Sequence, residues 1–136
     1  MRRRLGSART AIPAKVVDAS LVAAWCFRED REAEAAALLY GGQVHAPLLL
    51  AYELANIARR KAAAAPERAE FLVEALATAS AIVDQWEDVD HQAVVRLALS
   101  TGLTAYDASY LFLARRHSLP LLTFDERLGR AAAQRH

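Results

Sequence analysis

Four carboxylates in this chain stand where an acid needs explaining. Asp18 closes "VVDAS", Glu53 lies in "AYELANIARRK", Asp107 in "TAYDASYLFLARR" and Asp125 closes "LLTFD". Asp107 poses the sharpest question. Around it a helical period is apolar nearly all the way round until the basic end of the stretch. An ionised group taken out of water without a partner costs several kcal/mol or neutralises. Acids brought together also repel and raise one another's pKa values. Nothing basic in the four motifs neutralises them, and a divalent cation would. Hard oxygen ligands at an open site suit Mg2+ or Mn2+, which bind through a few carboxylates and keep several waters.

Each acid also has a local explanation. Asp18 with Ser20 fits a strand-to-helix cap, Thr104-x-x-Asp107 a capping box with Asp in place of Glu, and Thr123-x-Asp125 a cap on the last helix. Glu53 fits an exposed helical position. What favours a site is their joint placement. Short apolar runs, "AKVV", "QVHAP", "AIVDQW" and "LPLLTFD", alternate with helical patterns. That order predicts an α/β fold, a three-layer α/β/α sandwich with a short, mainly parallel sheet. Ligands in such sheets bind at the carboxyl ends of the strands. Asp18 and Asp125 end strands, Asp107 is in the first turn of a helix, and Glu53 follows "QVHAP" closely, so all four belong near that edge. Asn56 is three residues after Glu53, on the same helix face, where it could orient that carboxylate.

Other chemistries find less support. Asp84, Glu87, Asp88 and Asp90 sit where a strand exits into a helix start, which favours acids through the helix dipole. His45, His91, His117 and His136 show no zinc spacing, and the one cysteine, Cys26, reads as a core residue. There is no Gly-rich phosphate loop. The chain has 136 residues and is 54% hydrophobic and 24% charged, which suits one globular domain. We divide it into a basic arm, 1–14, expected to be disordered, and a single domain over 15–136. Residues 1–15 hold five of the 17 basic residues and no acid, leaving 12 against 16 acids in the rest. A mildly acidic body argues against a broad electrostatic DNA-binding surface. The longest apolar runs are seven residues, against the roughly 20 of a membrane span, so no membrane association is expected. The cysteine count fits a reducing, cytoplasmic setting.

Taken in order, "VVDAS", "WCFREDREAEAAALL", "VHAPLLLAYELANIARR" and "GLTAYDASYLFLARRHSLPLLTFDERL" resemble the PIN domain, and within it the VapC-type toxins of type II toxin–antitoxin pairs. The likeness covers about residues 15–134. It implies a Mg2+-dependent endoribonuclease, a hydrolase in which metal-activated water attacks an RNA phosphodiester and leaves 5′-phosphate and 3′-hydroxyl ends. Mn2+ would be the other candidate ion. It implies Asp18 and Asp107 as the most direct catalytic metal ligands, Glu53 and Asp125 as supporting acids, and Ser20, Asn56 and Thr123 as polar helpers. A homodimer and a cognate antitoxin partner are implied as well. Arg59 or Arg60, one turn and more beyond Glu53, would contact the RNA backbone. The basic arm and the alanine-rich stretch after Lys61 depart from the family pattern.

Two other function classes stay open. A receiver-like signalling module also sets acids around Mg2+ at a strand edge, but it needs paired acids early in the chain and a lysine near the last strand, where "PLLTFDERL" has none. A non-catalytic PIN-like binding domain would keep the fold and lack the full acid set.

Overall fold

A computed structural model describes residues 13–134; the first twelve residues of the basic arm lie outside the described residues. Four short strands form one parallel sheet: β1 (Ala14–Val17), β2 (Gln43–Pro47), β3 (Gln85–Glu87) and β4 (Leu121–Leu122), in the order β3-β2-β1-β4. Among the described residues seven α-helices accompany them: α1 (Ala19–Cys26), α2 (Glu32–Leu39), α3 (Leu49–Ala64), α4 (Ala69–Ala81), α5 (His91–Thr101), α6 (Ala105–His117) and α7 (Glu126–Ala133). Helices α1 to α4 pack on one another, and α5 to α7 on one another, with α6 lying against β1, β2 and β4. The result is the three-layer α/β/α arrangement that buried parallel strands require.

The central strand is the driest part. Val16 and Val17 of β1 are wholly buried, as are Leu21 and Val22 of α1, Leu50 of α3, Leu72 of α4, Leu113 of α6 and Leu128 of α7. Lys15 is the exception, 6% exposed between them. Its Nζ donates to the carbonyls of Tyr40 and Gly41, at 3.2 and 2.6 Å, and so ties β1 to the turn that enters β2. Burial lowers its pKa, with the charge of Asp84 opposing.

Two predicted strands are shorter than expected. "AIVDQW" contributes only from Gln85, because α4 runs on to Ala81 and Asp84 is spent on β2, its Oδ2 accepting from Val44 N at 2.8 Å. In "LPLLTFD" only Leu121 and Leu122 pair, since Phe124 N donates to Ser20 Oγ and Asp125 N to Thr123 Oγ1 and not to the ladder. Around Pro66, α3 ends at Ala64 and a single 3-10 turn (Pro66–Arg68) leads into α4.

The helix start that carries Asp107 is fixed twice. Gly102 ends α5 in the left-handed region, φ 77°, a conformation glycine adopts without the cost of about 1 kcal/mol or more that a side chain would bring. Thr104 then caps α6, its Oγ1 accepting from Asp107 N at 3.1 Å.

Candidate functional site

Strand register explains the first contact. Val17 pairs with Leu122, so the residues that follow, Asp18 and Thr123, leave the sheet side by side. Asp18 is 5% exposed. Its Oδ1 accepts from Ser20 Oγ at 2.7 Å and from Leu21 N at 3.3 Å, and its Oδ2 accepts from Thr123 Oγ1 at 2.6 Å. Both hydroxyls are themselves held by backbone donors, Ser20 Oγ by Phe124 N and Thr123 Oγ1 by Asp125 N, each at 2.9 Å. Asp18 is therefore both the N-cap of α1 and a carboxylate with a fixed orientation. Burial pushes its pKa up. The three hydrogen bonds oppose that rise, and the charge of Asp107 adds to it.

Glu53 lies in the second turn of α3, half-buried. Its Oε1 accepts a very short hydrogen bond from the hydroxyl of Tyr110, which is buried in α6. Burial raises the Glu53 carboxyl, the tyrosine bond opposes, and the charges of Asp107 and Asp18 raise it further. The Tyr110 hydroxyl is pushed up as well, by burial and then by Glu53. Asp107 is half-buried, raised first by burial and then by Asp125, with Arg127 opposing. Asp125 is exposed and caps α7, its Oδ1 accepting from Leu128 N at 2.8 Å.

The four acids are thus coupled, most of them through Asp107, with Asp18 also acting on Glu53 directly. Asp107 raises Asp18 and Glu53, and Asp125 raises Asp107. Oxygen donors that repel one another across a partly buried edge fit a hard divalent cation, which would relieve every one of these shifts.

The remaining predicted residues divide. Ser20 and Thr123 form the Asp18 cradle. Asn56 is exposed on α3 and its Oδ1 accepts from Arg59 Nε at 3.4 Å, while the polar partner of Glu53 is Tyr110. That partner is 57 residues away in sequence and carried no local signal. Beside the cradle lies a cleft of about 830 Å3, walled in part by Ser20 and Phe124 and otherwise by α1, α3 and the turn after α1. Arg28, Arg31, Arg60, Lys61 and Arg68 line it; Arg59 does not. Arg31 stacks 3.6 Å above the Phe124 ring and pairs with Glu34, and Lys61 pairs with Glu29. Among the described residues Arg60 has no acid partner.

The raised acids set a direction for stability in chelator. A folded carboxyl with a raised pKa still holds a proton that the unfolded chain has released. Stability must then fall as pH rises above the ordinary values, 3.8 for Asp and 4.5 for Glu, through the raised ones. Asp107→Asn removes the shared repulsion, so its melting temperature should exceed that of the wild type at pH 7, and the gain should shrink toward pH 3. Thermal melts across that range check this; a gain that does not vary with pH would refute it.

Comparison with known proteins agrees with this geometry. The family model described as PIN domain matches residues 15–134. Ribonuclease VapC3 of Pyrobaculum aerophilum is 37% identical over 120 residues, covering 84% of this chain and 91% of that protein. The crystal structure of PAE2754 from Pyrobaculum aerophilum superposes with a TM-score of 0.69 at 26% identity, covering 85% of this chain and 82% of the other. On a parallel β3-β2-β1-β4 sheet with its acids at the carboxyl edge, this chain belongs to the PIN-domain family, among its VapC-type members.

Proposed function

We propose that the protein is a Mg2+-dependent endoribonuclease that serves as the toxin of a toxin–antitoxin pair. One observation carries the proposal: a buried Asp18, fixed by Ser20 and Thr123, is electrically coupled to Asp107 and Glu53 in a chain 37% identical to a VapC ribonuclease. Asp18 and Asp107 would hold the cation, Glu53 and Asp125 would support it, and Mn2+ could replace Mg2+ there. When bound, a divalent cation supplies Lewis acidity toward water and the scissile phosphate.

The chain's own residues do the positioning. Asp18 cannot turn, because both oxygens accept from hydroxyls that backbone amides hold in place. Tyr110 holds Glu53 from α6, which ties α3 to α6 at the site. Asp107 sits in the first turn of α6, where the helix dipole favours its anionic form and offsets part of the cost of burial. The cleft beside the cradle, with Arg60 free to bond phosphate, offers a path for the RNA backbone.

Partners follow from the same proposal. The cognate antitoxin would mask the enzyme in the cytoplasm until released. A second copy of the chain would cover the apolar surface where Leu48, Val95 and Tyr106 stand exposed around one pocket of about 230 Å3. Sedimentation should give the dimer mass, and a monomer at every concentration would remove this part.

Cleavage of total RNA by antitoxin-free protein tests the activity itself. Fragments should form with Mg2+ or Mn2+, vanish with chelator, and fall at least about 100-fold in a folded Asp107→Asn variant, since a lost metal ligand forfeits several kcal/mol of charge stabilisation. Undiminished cleavage by that variant would overturn the assignment. Arg60→Ala should flatten the salt dependence of RNA binding by about 0.7 in logarithmic slope, the share of one single-strand phosphate contact. An unchanged slope would take Arg60 out of the RNA path.

A further inference from the structure

The proposed nuclease leaves a second cluster of metal-ligating side chains unused. His45 lies in the middle of β2, Glu87 is the last residue of β3, and His117 is the last residue of α6. Register puts His45 opposite Gln85 and Pro47 opposite Glu87, so His45 and Glu87 point to the same face of the sheet. The end of α6 brings His117 to them. One ligand atom from each of the three lies within 4.8 Å of the others. His117 Nε2 is hydrogen-bonded to Glu87 Oε2, and the two imidazole rings stand 5.6 Å apart between centroids.

A plain ion pair between His117 and Glu87 accounts for only part of this. Nδ1 of His45 is buried and has no hydrogen-bond partner among the described residues, a condition proteins rarely leave uncorrected. The other carboxylate oxygen of Glu87, Oε1, is ion-paired with Arg116 at 3.8 Å, so the orphaned atom of the cluster is His45 Nδ1. We propose that His45, Glu87 and His117 form a second metal site, distinct from the four acids and selective for a zinc-like transition-metal ion.

The donor set makes the distinction. Two imidazoles and one carboxylate suit Zn2+, a borderline-soft ion, whereas the acids around Asp18 offer only hard oxygen. Zinc bonds of about 2.0–2.1 Å place neighbouring ligand atoms roughly 3.3 Å apart in a tetrahedron, so the hydrogen-bonded His117–Glu87 pair would open slightly to admit the ion and His45 would adjust toward it. His117 has 34% of its side chain exposed and Glu87 24%, which leaves that freedom and an entry path. The bound ion would clamp the three-residue edge strand β3 and its neighbour β2 to the end of the helix whose other end carries Asp107.

The test uses untagged full-length protein with Zn2+ and Co2+ as probes. Zn2+ should bind at one equivalent in the presence of excess Mg2+, raise the melting temperature, and shift the ring resonances of His45 and His117. Co2+ should give the visible absorption of a four-coordinate site. Asp107→Asn should bind Zn2+ as the wild type does. His45→Gln and His117→Gln should each weaken binding at least about 100-fold, beyond the loss typical of an outer partner, while Mg2+-dependent RNA cleavage persists. Zinc affinity lost in Asp107→Asn, affinity unchanged in both histidine variants, or wild-type ring resonances that do not move would overturn the proposal. Failure of RNA cleavage in the wild type would bear on the nuclease alone.

Discussion

A buried carboxylate at the end of a central parallel strand is the constraint on which the site depends. Asp18 is almost without water, and at that depth a charge must be met on every side or given up. The chain meets it with two hydroxyls and one amide drawn from α1 and from the turn after β4. That solution needs β4 beside β1 in one particular register, with Val17 level with Leu122. It also needs the turn after β4 to bend at once, so that Phe124 N and Asp125 N can hold the hydroxyls. The two-residue length of β4 goes with this, because the amides of Phe124 and Asp125 are spent on the two hydroxyls and not on the ladder.

Helix α6 gathers the rest. Its first turn brings Asp107, its second brings Tyr110 onto Glu53, and its last brings Arg115, Arg116 and His117. Acid at the start and base at the end follow the helix dipole, so this distribution is favourable before any ligand is considered. Between the ends, Leu111, Leu113 and Ala114 are buried in the core. A helix anchored that firmly can hold costly groups at both tips.

Much of this was legible in the sequence, and what was not has a common cause. The alternation of short apolar runs with helical patterns indicated the α/β order, and Thr104-x-x-Asp107 marked the start of α6. "VVDAS" signalled a carboxylate at a strand end with a serine to hold it. Local pattern could not show contacts between residues far apart. Tyr110 reads as one more apolar position in α6, and Lys15 as a polar residue before a strand, yet each is buried with a partner 25 or more residues away. Asp84 read as a helix-start acid and instead binds the amide of Val44, 40 residues earlier. His45, Glu87 and His117 have no shared spacing, because parallel strands and a returning helix, not a local motif, bring them together.

The charge layout also explains how an acidic body can face RNA. Outside residues 1–15 acids outnumber bases, and Asp18, Glu53, Asp107 and Asp125 repel one another electrostatically near one edge. Phosphate approaching that edge alone would be repelled, so attraction has to come from beside it. The cleft supplies this: Arg28, Arg60, Lys61 and Arg68 line a groove that begins at the Ser20 and Phe124 wall of the Asp18 cradle. Lys61 is partly neutralised by Glu29 and Arg31 by Glu34, and Arg68 is drawn to the carbonyl of Phe27. The groove is therefore less basic than its residue list suggests, and a strand would be held loosely there. On the proposed nuclease reading, firm seating at the acid edge would require a cation to cancel the carboxylates, and substrate binding would then be coupled to metal binding.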